Sequence, residues 1–257
     1  MSVYGLIGGT GLETLLKDAE EGRRETPYGP VDFYEGEMGG RRAILVPRHG
    51  KGHSYPPHRV PYRANMWLLR RLGVGRIIAL NAVGAINPKM KPGVLVVPHD
   101  FVDFTKGRPV TFYDTPPVTH VDMSTPYCPE VRRALIDAVR RCGEVVWDEA
   151  VMVCTEGPRF ETPAEIRMFR AMGCDIVGMT GAPEATLARE LGMCYATLCL
   201  VSNMAAGMQE RLTAREVVEM AKRRLPVIRR IAPVATGLIP PKRGCACKRA
   251  LEEARVC

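Results

Sequence analysis

Residues 155–203, TEGPRFETPAEIRMFRAMGCDIVGMTGAPEATLARELGMCYATLCLVSN, alternate short apolar runs with helical segments: strand end, turn, helix, strand, turn, helix, strand. Strands separated by helices bury both of their faces as a mostly parallel, helix-covered sheet, so this stretch predicts an α/β domain. In an open sheet of that kind ligands bind outside the carboxyl ends of the strands. Each of the three strand ends here carries groups suited to a small polar ligand. Glu156 to Glu161, with Arg159 and Phe160, follow the first; Met179, Thr180 and Gly181 follow the second; Ser202 and Asn203 close the third. A core role for Phe160 or a helix-starting role for Glu161 explains either residue alone. Repetition of the same character at three ends predicts one shared pocket.

The rest of the chain is consistent with a single domain. Segments 31–34 and 42–46 read as a strand meander, which makes the central sheet mixed rather than purely parallel. There is no internal repeat and no linker rich in Gly or Ser, so residues 1–240 are expected to form one domain, with 241–257 a short charged tail. Hydrophobic residues at 46% and charged residues at 25% exclude disordered and fibrous classes. No apolar run of about 18 residues suggests a spanning helix. The N-terminus MSVYGLIGGTGLE lacks a basic segment and cleavage site, so a soluble cytoplasmic protein is expected, without a membrane partner. The net charge of +8 is spread over helix faces such as Arg132-Arg133 and Arg140-Arg141 rather than interleaved with aromatics. It reads as solvated surface, and no nucleic-acid partner is expected.

Further anion-binding groups recur along the chain. A strand at 3–7 runs into Gly8-Gly9-Thr10-Gly11 and an expected helix, LETLLKD; successive backbone N–H groups in such a turn, together with the Thr10 hydroxyl, can hold an anion. Neither G-x-G-x-x-G nor the phosphate-loop pattern is matched. After the strand at 42–46 comes Pro47-Arg48-His49-Gly50-Lys51-Gly52-His53. Arg48 offers a fork for an oxyanion. His49 and His53 sit four apart, but the glycines argue against the helix that would bring them to one metal ion, so anion binding by Arg48 and His49 is expected. A helix at 60–72 and a strand at 76–80 lead to Asn81-Ala82-Val83-Gly84-Ala85, read as a small-residue turn that lets backbone approach a ligand. Residues 99–127 read as a long polar binding loop or interface, with His120 its most notable member. Thr213 and Glu216 form a capping box for a last helix of about two dozen residues.

Of nine cysteines, six lie singly and read as small buried hydrophobes. Cys245 and Cys247 form a C-x-C in the tail. Zinc ligands usually come as two C-x₂₋₄-C pairs, and no partner pair is evident, so no metal site is expected. Disulfides pinning the tail are the expectation for a hyperthermophile source.

GGTG, PRHG, NAVGA, TEGPRFETPAE, GMTGAPEATLARE and the strand ending at Asn203, in this order and spacing over nearly the whole chain, resemble the trimeric purine nucleoside phosphorylases, with the methylthioadenosine phosphorylases the closer branch. The C-x-C tail resembles archaeal members. The resemblance implies phosphorolysis: phosphate, a co-substrate and not a cofactor, attacks C1′ of a purine nucleoside and releases the base. It implies phosphate binding by Thr10, Arg48, His49, Ala82 and Thr180, Met179 under the ribose and Phe160 on the purine. His120 would reach a neighbouring subunit's nucleoside in a homotrimer or dimer of trimers. Asn203, Glu161 and His49 are the catalytic candidates, acting by placing phosphate and stabilising charge on the leaving base.

Specificity turns on hydrogen-bond sense. A 6-oxopurine presents a carbonyl at position 6 and a donor at N1, and so matches an amide and a carboxylate. Glu161 and Asn203 stand where the resemblance places those two groups in 6-oxopurine enzymes, and Asn203, Met204 and Ala205 replace the aspartates of the methylthioadenosine branch. Hypoxanthine and guanine nucleosides are therefore expected over adenine ones. Ala214 stands where a 5′-hydroxyl-binding histidine would be, which leaves room for a methylthio group. The alternatives are a methylthioadenosine phosphorylase using Asn203 through water, and a non-catalytic purine or nucleic-acid binding protein.

Overall fold

A computed structural model describes residues 3–9, 12–252 and 254–255. Among the described residues, eleven strands form one mixed sheet and five α-helices cover it. Its centre is β5 (Val74–Ala85), with β1 (Val3–Gly8) parallel on one side and β11 (Cys194–Met204) parallel on the other. Beyond β1 lies β4 (Arg41–Pro47), parallel to it, followed by antiparallel β3 (Val31–Met38) and β2 (Lys17–Arg24). At the far end of β5, the short strand β10 (Ile176–Gly178) crosses antiparallel to Gly84-Ala85 and leads to parallel β9 (Val151–Thr155) and β7 (Asp100–Phe104). Two-residue strands β6 (Leu95–Val96) and β8 (Val146–Trp147) complete the β11 side.

The helices follow from period and punctuation. α1 (Tyr62–Arg71) buries Tyr62, Met66 and Leu69 and stops at Gly73, whose φ of 81° is left-handed. α2 is Pro129–Arg141, α3 is Pro163–Ala171 and α4 is Gly181–Glu190. α3 starts on a reciprocal cap, Thr162 with Glu165. α5 (Ala214–Leu238) keeps only half of its expected box. Glu216 N–H donates to Thr213 Oγ at 3.2 Å, but the Glu216 carboxylate accepts from Gln209 Nε2 at 2.9 Å instead of returning to Thr213.

Three expectations give way. The helix after the glycine turn is a single 3₁₀ turn, Glu13–Leu15, because Leu12, Leu15 and Leu16 all enter the core and Lys17 already begins β2. NAVGA is not a turn: β5 runs through it, with Ala82 the one exposed position in an otherwise covered strand. The loop expected over 99–127 contains β7 at its start; residues 105–127 are irregular but for one isolated bridge at Thr119.

Candidate active site

The ends of β10 and β11 both pair with Gly84-Ala85 of β5, with β9 beside β10, so the three strand ends lie next to one another. Arg48 follows β4; its backbone N–H donates to Gly8 O at 2.8 Å, fixing it beside the glycine turn. Its side chain is 3% exposed and passes beneath β5, donating from Nη1 to Leu80 O at 2.8 Å. Glu184 of α4 grips the other edge, Nε to Oε1 at 2.5 Å and Nη2 to Oε2 at 3.0 Å. Tyr195 O–H donates to the same carboxylate at 2.7 Å. Burial alone would lower the Arg48 pKa, but the Glu184 carboxylate outweighs it and holds the guanidinium firmly charged. A guanidinium has five N–H groups. Three are used, so two remain to meet an anion.

Beside this cation, Thr180 Oγ donates to Asn81 Oδ1 at 3.0 Å, and Asn81 Nδ2 donates to Thr197 Oγ at 2.8 Å. Arg48, Asn81-Ala82 and Thr180 therefore gather along Leu80 to Ala82 of β5. His49 follows Arg48. Its Nδ1 faces the Tyr55 carbonyl at 2.8 Å, and a carbonyl only accepts, so Nδ1 carries the proton and Nε2 is a lone-pair acceptor. Burial first, and the Arg48 charge second, lower its pKa to about 4. His49 is thus a neutral ring, stacked on His53 at 4.3 Å. Thr10 lies outside the described residues.

The other half of the site is made by β9, β10 and β11. Glu161 is buried; Thr155 O–H donates to its Oε1 at 2.7 Å, and burial raises its pKa. A β-bulge between Val201 and Asn203 turns the end of β11. There Asn203 Nδ2 donates to Met204 O at 2.9 Å, and the single Ser202 O–H proton has two acceptors, Asn203 Oδ1 at 2.6 Å and Val83 O at 3.1 Å. The Met204 carbonyl can only accept, so the amide nitrogen must face it and the oxygen must face Ser202. One Asn203 N–H is left over. Gly84 lies beneath: a Cβ there would come within 3.1 Å of Asn203 Nδ2. Ala205 is buried, its N–H on Ala85 O at 2.8 Å, and Met204 is half-buried.

Phe160 and Met179 are both half-buried on neighbouring strand ends. Met179 presses on Gly157, where a Cβ would lie 2.6 Å from its sulfur. Buried Arg108 ties these ends together, donating to the carbonyls of Thr155, Glu156 and Met179. A cavity of about 250 Å³ opens beside Glu161, walled by Thr155, Gly157, Phe104 and Phe169; Phe160, Met179 and Asn203 do not line it. Arg159 lines the same cavity, ion-paired with Glu165 at 2.7 Å. His120 is exposed and its backbone pairs with the tail, N–H to Ala254 O at 2.7 Å. Ala214 is exposed at the first turn of α5.

Four residues that shape the candidate site escaped the sequence reading. Glu184, Asn81 and Thr155 sat inside quoted motifs without a role, and Arg108 sat in a loop with no pattern at all. A charged residue within the apolar α4 run was the one available signal for Glu184.

The phosphorylase superfamily profile matches residues 3–233. The chain is 52% identical over 260 residues, covering 100% of both chains, to a probable S-methyl-5′-thioinosine phosphorylase of Methanopyrus kandleri. It is 50% identical, covering 97% of both, to the 6-oxopurine nucleoside phosphorylase of Pyrococcus furiosus. Among solved structures, it is similar to a methylthioadenosine phosphorylase from Schistosoma mansoni in complex with adenine. The TM-score is 0.93 with 34% identity, covering 99% of both chains.

Proposed function

The chain belongs to the phosphorylase superfamily, and from that premise we propose that it is a purine nucleoside phosphorylase acting on 6-oxopurine nucleosides, with a 5′-hydroxyl or a 5′-methylthio group. Phosphate is the second substrate, and the reaction as proposed needs no cofactor. A phosphate oxygen forms a bond to C1′ while the C1′–N9 bond breaks, and the electron pair leaves on the purine.

Each end of the site supplies one part of that chemistry. The two remaining Arg48 N–H groups and the Thr180 hydroxyl meet phosphate, Thr180 needing only to redirect its proton from Asn81. Neutral His49 offers Nε2 as an acceptor, which suits a protonated phosphate oxygen. The Ala82 backbone adds to the cradle. Met179 lies under the ribose and Phe160 stacks on the base. The spare Asn203 N–H donates to the ring edge as charge develops there, and the second Glu161 oxygen accepts N1–H.

The observation that carries the choice of base is the fixed polarity of Asn203 between Ser202 O–H and the Met204 carbonyl. An amide held that way offers a donor, which matches a 6-carbonyl and mismatches a 6-amino group. A buried mismatch costs about 1–3 kcal/mol per unpaired group, on the order of 5- to 150-fold. Identity to relatives named for 6-oxopurine and thioinosine substrates supports the same reading. We further propose a homotrimer or dimer of trimers in which the exposed loop bearing His120 reaches a neighbour's nucleoside; size-exclusion chromatography with light scattering checks the assembly.

Inosine, methylthioinosine, adenosine and methylthioadenosine are to be compared with and without phosphate. Base release that requires phosphate and favours the 6-oxo member of each pair at least about tenfold is expected. Equal rates on the 6-amino members would sink the base assignment.

A further inference from the structure

Far from this site, the chain brings four cysteines together. Cys128 is the residue before α2, Cys194 opens β11, Cys245 precedes the 3₁₀ turn Ala246–Arg249, and Cys247 lies inside it. Their four sulfurs all lie within 4.8 Å of one another, and Cys194 Sγ is 3.4 Å from Cys245 Sγ. Three are buried and Cys245 is half-buried. Asn203 closes the strand that Cys194 opens, and at about 3.3 Å per residue the two ends of β11 stand roughly 30 Å apart. The C-x-C therefore does have a partner pair, supplied by positions 128 and 194, which no local spacing reveals.

The arrangement matches one chemistry. Four thiolates around a tetrahedral zinc ion at about 2.3 Å lie about 3.8 Å from one another, and the 3.4–4.8 Å observed here straddles that value. A disulfide needs only two sulfurs, at about 2.05 Å; all eight described cysteines are free. Contacts that involve no sulfur hold the ligands in place. Cys128 N–H donates to Tyr195 O at 2.8 Å, Gly244 N–H to Glu130 Oε1 at 2.6 Å, and Arg243 Nη1 to Gly192 O at 2.8 Å. Cys128 stands just before the N-terminus of α2, whose dipole favours a thiolate, and the tail that carries Cys245 and Cys247 is itself basic, with Arg243, Lys248 and Arg249.

We propose that Cys128, Cys194, Cys245 and Cys247 form an all-thiolate tetrahedral site for one zinc ion per chain. With four protein ligands the ion has no open position, so the site is structural. Binding releases the thiol protons, one from each cysteine, with no change of oxidation state. It fastens the tail, whose far end pairs Ala254 and Arg255 with His120 and Thr119.

The test uses the full chain, purified without chelator under reducing conditions. Elemental analysis is expected to find about one zinc per chain, and cobalt exchanged into it is expected to show thiolate-to-metal charge transfer with tetrahedral d–d absorption. Cys245→Ser with Cys247→Ser should fall to near zero zinc while keeping phosphorolysis at moderate temperature, which shows that it folds; Cys142→Ser should keep its zinc. A reduced wild-type chain that takes up neither zinc nor cobalt overturns the proposal. So does peptide mapping that finds the four residues joined as disulfides in protein isolated without oxidant.

Discussion

The end of the site proposed to hold phosphate and the end proposed to hold the base are built on opposite electrostatic principles. At the phosphate end a permanent cation, Arg48, is buried against a permanent anion, Glu184, before any ligand arrives. At the proposed base end the two groups form no ion pair with each other: Asn203 is neutral, and the Glu161 carboxylate accepts from the Thr155 hydroxyl. Phosphate keeps its charge throughout the reaction, so a fixed counter-charge serves it. The purine gains charge only as the bond breaks, so oriented neutral donors serve it better than a cation that would bind substrate and transition state alike.

The sharpest way to break this contrast is at Glu184. Glu184→Gln leaves Arg48 buried without its partner, and an uncompensated buried charge costs about 3–5 kcal/mol. The expected result is a large drop in urea stability, partly restored by phosphate, with a raised KM for phosphate. An unchanged KM would show that Glu184 only supports packing.

The next effect is at Glu161. Glu161→Gln should lower kcat/KM for inosine by about 1–3 kcal/mol, on the order of 5- to 150-fold, and leave adenosine turnover nearly unaffected. An equal loss on both nucleosides would refute its pairing with N1–H. Ser202→Ala is gentler. It removes one of the two contacts that orient Asn203, so the preference for inosine over adenosine should shrink by about 1 kcal/mol, roughly fivefold.

The smallest contrast is in pH dependence, where the two ends carry opposite signs. His49 has its folded pKa depressed to about 4, so the unfolded chain binds more protons, and stability is lost as pH falls from about 6.5 toward 4. Glu161 has its folded pKa raised, so its contribution is present at low pH and is lost as pH rises through the folded value. Thermal unfolding of His49→Asn across this range should show a weaker acid loss than wild type. Glu161→Gln should be no less stable than wild type at pH 7. A Glu161→Gln protein that melts several degrees lower would mean that its carboxylate stabilises the fold rather than straining it.

Much of this could be read in advance where pattern and punctuation agree. The strands around 76–80, 151–154 and 194–203, and the helices ending at Gly73 and starting at Thr162 and Thr213, all have apolar period and caps. Regions without such agreement were misread. β2, KDAEEGRR, shows no apolar alternation because it is an edge strand whose side chains are almost all exposed. NAVGA has the small residues of a turn but continues β5, since Gly84 is needed where Asn203 and Val177 press on the sheet. β7 was hidden because an edge strand pairing only with β9 needs no strong apolar signal.

By itself, the order of residues determined the α/β class, the family and which polar groups stand at the strand ends. Those depend on local period, on side-chain chemistry and on motifs contiguous in the chain. Tertiary structure alone decided which lone pair or proton each group presents. The Asn203 amide has a set orientation because a carbonyl faces its nitrogen and a hydroxyl its oxygen, His49 is neutral because it is buried beside Arg48, and four cysteines spread over 120 positions share one small volume. Hydrogen-bond sense and charge state are properties of neighbours, and neighbours distant in sequence are chosen by how the sheet packs.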